Sequence, residues 1–332
     1  MLLRTLMALT IGGVVVAAPG CPRATARGPE PVPPKAPAKE GAPAKTVAPD
    51  VVDAPTLGSV PQRIISLAPS HTETLFAIGA GDRVVGVTSY CDYPPEAAKL
   101  PRVSEFSKIN VEAVVALEPD LILVAHGNPS EEVQQLKDLG VPVYGIDPVT
   151  YDEVADGIET IGRLVGEEAN AHRVAEDLRQ AKAAVAERVA ASPPVDRPVV
   201  LISTVTMMEL PLWIPGHHTF HDDMIRAAGG RNVVPEGLED WQPMGLESLV
   251  KAEPDIILGP CPVGEDSVQK RDQFEANLRR IDGFSTMPAL KTGRIHVVPE
   301  DSFFRPGPRL GDAIRLLARI VHPQAFGGED TL

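Results

Sequence analysis

The chain has 332 residues, 43% of them hydrophobic, and a formal charge of −14. Length and apolar content leave room for two ordinary domains, each able to bury a core. The acidic balance excludes nucleic acid as a partner, because phosphate backbones require a basic face.

Arg4 precedes an apolar run over residues 5–18 that is too short to span a bilayer and is similar to the core of a secretory signal. Cys21 follows the small residues of AAPGC, as the lipid acceptor of a bacterial lipoprotein signal does, although Ala18 stands where such signals prefer Leu. Residues 1–21 therefore read as a signal ending at a lipidated Cys21. Residues 22–62 are Pro, Ala, Lys and Glu with few large apolar side chains. They cannot bury enough surface to offset the entropy of ordering, and they read as an extended tether.

An α/β body begins at residue 63. RIISLA (63–68) predicts a strand, and Pro69-Ser70 opens a helix in which Ser70 and Glu73 have capping-box spacing. Residues 84–88 are a second strand, and YCDYPPEA (90–97) is a turn-rich loop. Asn110 caps the next helix, Pro119 ends it, and residues 121–125 are a third strand. Ser130 caps a further helix, and 141–146 are a fourth strand. Alternating strand and helix predicts a parallel sheet covered on both faces over residues 63–149. Residues 150–191 contain no strand. Apolar positions at Ala171, Val174, Leu178, Ala181, Val185 and Val189 have helical spacing, and this segment reads as a connecting helix ended by Pro193-Pro194. Residues 192–323 alternate again: strands at 199–204, 255–258 and 295–298, helices at 220–228, 246–252, 269–281 and 310–321.

The second alternating region repeats the first. NVEAVVALEPDLIL (110–123) and GLESLVKAEPDIIL (245–258) align without gaps, matching at Glu112/Glu247, Val115/Val250, Glu118/Glu253, Pro119/Pro254, Asp120/Asp255, Ile122/Ile257 and Leu123/Leu258. A weaker echo, AIGAGDRVV (77–85) and RAAGGRNVV (226–234), precedes each copy. The fold expected is two pseudo-symmetric α/β lobes joined by one long helix, with a ligand cleft between them. Asp120 and Asp255, each after a proline at a helix-to-strand turn, read as turn residues.

RIISLAPSHTETLFAIGAGDRVVGVTSYCDYPPEA, the repeated segment, the long helix and a second such lobe together resemble the class III, helical-backbone substrate-binding proteins of ABC importers, and within them the cobalamin-binding branch. The resemblance covers residues 61–323. It implies a monomeric extracytoplasmic protein, periplasmic or on the cell surface, held to the membrane by a lipid anchor only. It implies capture of a small molecule at the carboxyl ends of the strands and delivery to a permease dimer with its ATPase, with no bond made or broken. By the family's motifs, Glu112 and Glu247 dock on permease arginines. Tyr90, Trp241, Asp301 and Arg305 contact ligand, and Phe106 replaces a family tryptophan. Ala125 stands where another family tryptophan would be, which widens the ligand class from a cobalamin-like corrinoid to haem or a ferric siderophore. No cofactor of the protein's own is implied.

Four histidines bear on a different reading, a receptor for a bare metal ion such as zinc. His217, His218 and His221 form H-H-x-x-H before a second-lobe helix, and His126 follows a strand end. Neutral imidazole is a good ligand for zinc, iron or cobalt, but no acid is spaced as in a zinc site, and the pattern reads as solvent-facing loop histidines. His71 reads as a helix-start residue, and Cys91 and Cys261, one per lobe, as unpaired thiols. The G-x-S-x-G, P-loop and G-x-G-x-x-G signatures do not occur, which argues against an enzyme in the cleft.

Overall fold

The structure is a computed structural model that describes residues 58–105, 108–192, 197–204, 210–262 and 264–327. The signal-like segment with Cys21, the tether up to residue 57, and Phe106 lie outside the described residues. No helix of the described residues is long and apolar enough to cross a membrane.

Lobe 1 comprises β1 (Ile64–Ser66), α1 (Pro69–Ala77), β2 (Val84–Thr88), β3 (Arg102–Glu105), β4 (Lys108–Ile109), α2 (Val111–Ala116), β5 (Leu121–Val124), α3 (Ser130–Asp138) and β6 (Val143–Gly145). Its sheet has the order β4-β3-β2-β1-β5-β6, parallel except for the terminal β3–β4 pair. Two helices follow, α4 (Tyr151–Val165) and α5 (Glu168–Ala190). Lobe 2 comprises β7 (Val199–Ile202), β8 (Leu212–Pro215), α6 (Phe220–Ala227), β9 (Arg231–Asn232), β10 (Trp241–Met244), α7 (Leu246–Ala252), β11 (Ile256–Cys261), α8 (Ser267–Arg279), α9 (Pro288–Thr292), β12 (Ile295–Pro299), α10 (Glu300–Phe304) and α11 (Leu310–Val321). Its parallel sheet has the order β12-β11-β7-β9, and β8 and β10 form a separate antiparallel ribbon.

The run β2-β1-β5-β6 in one sheet and β9-β7-β11-β12 in the other have the same order and direction. The twin fourteen-residue stretches thus form α2–β5 and α7–β11. The repeated Glu-Pro-Asp has one backbone role in both. Glu118 and Glu253 take left-handed conformations, with φ of 45° and 47°. Asp120 then accepts backbone N–H bonds from Gln62 (2.7 Å) and Arg63 (2.8 Å), and Asp255 accepts one from Val199 (2.8 Å). Each aspartate ties the end of its helix to the start of the lobe's first strand.

Alternation along the strands divides the core. Ile64, Leu121 and Leu123 of lobe 1 and Val200, Ile202, Ile256 and Leu258 of lobe 2 belong to one continuous apolar cluster with α4, α5, α6 and α11. The alternate residues face outward. Ile65 and Ile122 pack with Val114 of α2 and Leu136 of α3, and Leu201 and Ile257 pack with Leu249 of α7 and Phe274 of α8. Cys91 and Cys261 are buried and unpaired.

The connecting segment is two antiparallel helices rather than one. Gly166, in the left-handed conformation, ends α4, and Gly162 lets the helices close, since a Cβ there would lie 2.2 Å from Ala171 Cβ. Ion pairs Arg179–Asp156 (2.7 Å), Arg179–Glu159 (3.0 Å) and Lys182–Asp152 (2.9 Å) run along the seam. The 23 residues of α5 extend about 35 Å. Glu167, just before α5, pairs with Arg83 of lobe 1, and Arg188 in its last turn bonds the Ala325 carbonyl near the end of the described chain.

Candidate functional site

Loops at the carboxyl ends of both sheets meet at the lobe boundary. In lobe 1, β1 leads into α1, which carries Glu73, and β2 leads into the loop with Tyr90, Asp92 and Tyr93. In lobe 2, β12 leads into α10 and then Arg305 and Arg309. Glu73 does not close a capping box. The residue before α1 is Ala68, and no side chain caps the helix. The Glu73 carboxylate is 2% exposed and points across the boundary. It accepts from Arg305 Nη1 (3.1 Å) and from Arg309 Nε (2.8 Å) and Nη2 (2.7 Å). Arg309 also pairs with Asp301, and its guanidinium lies 4.1 Å from the centre of the Tyr93 ring. Arg305 reaches Asp92 with both terminal nitrogens, Nη1 to Oδ1 at 2.6 Å and Nη2 to Oδ2 at 3.4 Å.

Burial opposes the charge on both arginines, but the carboxylates overcome it and hold both guanidinium pKa values above the usual range. Burial likewise opposes the charge on Asp92, and Arg305 and Arg309 together bring its carboxyl below the usual value. Asp92, Arg305 and Arg309 are therefore ionised at neutral pH. Asp301 and Arg305 do not form a pair with each other: Asp301 serves Arg309, while Arg305 serves Glu73 and Asp92.

An aromatic cluster adjoins these ions on the lobe 2 side. His221, in the first turn of α6, is fully buried. Its ring centre is 4.0 Å from Phe220, 5.2 Å from Phe304 and 5.5 Å from Trp241, the last edge-to-face. Neither ring nitrogen has a hydrogen-bond partner of normal geometry, and burial lowers its pKa to about 3, opposed by the Phe303 backbone. Trp241 opposes Pro215 and Trp213 opposes Pro243 across the ribbon, so both indoles lie on one face. Trp241 is 38% exposed and Trp213 51%. Leu212, Ile214 and Met244 fill the buried face.

The remaining histidines do not gather. His217 is buried rather than solvent-facing: Nε2 donates to the Val234 carbonyl (3.1 Å), and Nδ1 meets Arg226 Nη2 at 2.9 Å. His221, buried among aromatic rings, departs from the sequence expectation in the same way, whereas His218 and His126 are exposed. Among the described residues no group of three or more His, Cys, Asp or Glu could hold a metal ion. His71 is a buried residue of α1, bonded through Nε2 to the Ile146 carbonyl (3.0 Å), and burial lowers its pKa to about 4.

Glu112 and Glu247 begin α2 and α7, exposed and at equivalent places in the repeat. Sequence reasoning missed Asp92, Arg309, Trp213 and Phe304, and assigned Glu73 to the wrong partner. One signal was available: Glu73 shares the turn of α1 with Thr72, Thr74 and Leu75, all buried. An acid so placed requires a cationic partner, and PEDSFFRPGPR supplies two arginines four residues apart.

The profile of the periplasmic binding protein family matches residues 64–302, from the first strand into α10. This chain belongs to that family. Bacillus subtilis YvrC, an uncharacterized ABC transporter substrate-binding lipoprotein, is 31% identical over 275 residues, which cover 82% of this chain and 83% of YvrC. A vitamin B12-binding protein of Yersinia pestis is 34% identical over 198 residues, 59% of this chain and 69% of the relative. Among solved structures, the periplasmic heme-binding protein RhuT of Roseiflexus sp. RS-1 superposes with a TM-score of 0.69 at 27% identity, over 80% of this chain and 99% of RhuT. The protein is thus a substrate-binding component of an ABC importer with the two-lobed fold of its class, acting outside the cytoplasm.

Proposed function

We propose that the protein captures a cobalamin-like corrinoid between its lobes and hands it, unaltered, to a permease dimer with its ATPase. The observation that carries this reading is the aromatic face of lobe 2. Trp241 and Trp213 share the exposed face of the ribbon, Trp241 and Phe304 both flank His221, and Arg305, the residue after Phe304, bridges to the Tyr90–Tyr93 loop. A large flat macrocycle requires this combination of apolar wall and few polar anchors. Asp301 supports the site indirectly, by fixing Arg309. The likeness to vitamin B12-binding proteins points the same way.

Haem or a ferric siderophore is the second reading, supported by the likeness to RhuT and by Ala125, which leaves out one aromatic wall in lobe 1. A bare-metal receptor finds no support in the dispersed histidines. Glu112 and Glu247, one on each lobe, would meet arginines of the permease, and a lipid on Cys21 would keep the protein at the membrane.

Absorbance titration of purified protein with cyanocobalamin and with haemin tests the ligand. Trp241→Ala is expected to weaken binding by about 1–3 kcal/mol, and an unchanged affinity would remove Trp241 from the site. The double variant Glu112→Ala/Glu247→Ala is expected to keep its affinity and lose uptake in cells. Loss of binding there would refute the docking role.

A further inference from the structure

We propose that Asp92 is a built-in stand-in for the ligand: its carboxylate occupies the Arg305 fork, and an oxyanion of the ligand, carboxylate or phosphate, displaces it on binding. This rests on the reading that the ligand binds between the lobes, and it adds the chemistry of one ligand group. Three carboxylates and two guanidiniums make up the boundary cluster, and the carboxylates differ in how firmly they are held. Glu73 is 2% exposed, Asp301 10% and Asp92 51%. Glu73 touches both arginines, whereas of the two Asp92 hydrogen-bonds Arg305 and not Arg309.

Release of Asp92 therefore leaves Arg305 fixed by Glu73, with its fork open. The cluster then holds two carboxylates and two guanidiniums, and the loop carboxylate returns to water at low cost because it is already half solvated. An arriving oxyanion restores the third negative charge with the two-pronged geometry that guanidinium favours. A ligand with no anionic group gains nothing by opening the pair, and one that bound without displacing Asp92 would set two anions against each other at one arginine. The loop is positioned for the exchange, since Tyr90 and Tyr93 on either side of Asp92 are 53% and 44% exposed.

The test compares ligands that differ in the anionic group, using full-length wild type, Asp92→Asn and Arg305→Gln, with thermal unfolding to confirm that each variant is folded. The corrinoid arm is cyanocobalamin, which has a phosphodiester, against dicyanocobinamide, which has none. The haem arm is haemin, which has two carboxylates, against its dimethyl ester. In whichever arm binds, Asp92→Asn is expected to strengthen the anionic ligand about fivefold and leave its uncharged counterpart within about twofold. Arg305→Gln is expected to weaken the anionic ligand at least about tenfold and the counterpart little. An Asp92→Asn variant that moves both ligands of a pair equally, or neither, overturns the proposal. If neither arm binds the wild type, the macrocycle reading fails by itself, and calorimetry with citrate decides the exchange. Tighter citrate binding by Asp92→Asn, lost in Asp92→Asn/Arg305→Gln, upholds it; equal binding by wild type and Asp92→Asn overturns it.

Discussion

Lobe 1 and lobe 2 turn the chain from helix to strand with the same three residues, a left-handed glutamate, a proline and an aspartate that grips the first strand. The resemblance stops where the lobes meet. There lobe 1 contributes two carboxylates, Glu73 and Asp92, while lobe 2 contributes two guanidiniums, the carboxylate of Asp301 and the aromatic cluster around His221. Aligning the echoes AIGAGDRVV and RAAGGRNVV puts Glu73 opposite Asp222. Both acids are buried, yet Asp222 is neutralised within its own lobe, by Arg226 at 2.6 Å, whereas Glu73 is neutralised across the boundary. A duplicated framework can thus carry a contact surface that is not duplicated, because backbone demands fix the turn residues while the facing side chains are free to differ.

The largest effect should come from separating these two acids experimentally. Glu73→Ala leaves two partly buried arginines short of a partner, and a loss of about 3–5 kcal/mol in urea unfolding is expected. Asp222→Ala should be similarly costly. Only Glu73→Ala should also change the spacing of the lobes, read as a change in small-angle scattering, and no change there would mean that the ion cluster does not hold the lobes.

The lobes also share an acid sensitivity, since each buries a neutral histidine in a helix at the boundary. Burial lowers the pKa of His71 to about 4 and that of His221 to about 3, from the ordinary histidine value of 6.5. Below pH 6.5 the unfolded chain takes up protons that the folded chain refuses. The stability associated with each is therefore full above pH 6.5 and is lost as pH falls toward the folded pKa. Between pH 7 and 5 each should cost about 2 kcal/mol. His221→Phe should remove its share of that slope, and an unaltered slope would show that His221 is not held neutral.

The turn aspartates offer a finer comparison. Asp120 accepts two backbone N–H bonds and Asp255 one, because the position matching Gln62 is Pro198, which has no N–H. Asp120→Ala should cost about 2 kcal/mol and Asp255→Ala about 1 kcal/mol; equal losses would break the account. Glu118→Gly and Glu253→Gly should each stabilise slightly, by less than about 1 kcal/mol, by relieving a left-handed non-glycine residue.

Much of the framework is legible in the sequence. The strand at 84–88, the Asn110 cap and the helix at 310–321 follow from local patterning, since apolar spacing and side-chain capping act within a few residues. The β8–β10 ribbon is not legible in this way: its strands are separated by the whole of α6 and β9, and WQPM and LWIP do not alternate cleanly. Repetition of the Glu-Pro-Asp turn likewise announces two lobes.

The partner of Glu73 is a different matter. Its spacing from Ser70 suits a cap, and a cap would satisfy the helix, but arginines more than 230 residues away claim the carboxylate. A buried charge must be compensated by whatever the fold brings near it, and that depends on how two separately specified sheets are set against α4 and α5. Periodicity, caps and the repeat therefore belong to the sequence, because their energetics are local. The choice of Glu73, Asp92, Arg305 and Arg309 as one cluster, and of His221 as a core residue beside Trp241, was decided only by tertiary packing, because desolvation and ion pairing act through space.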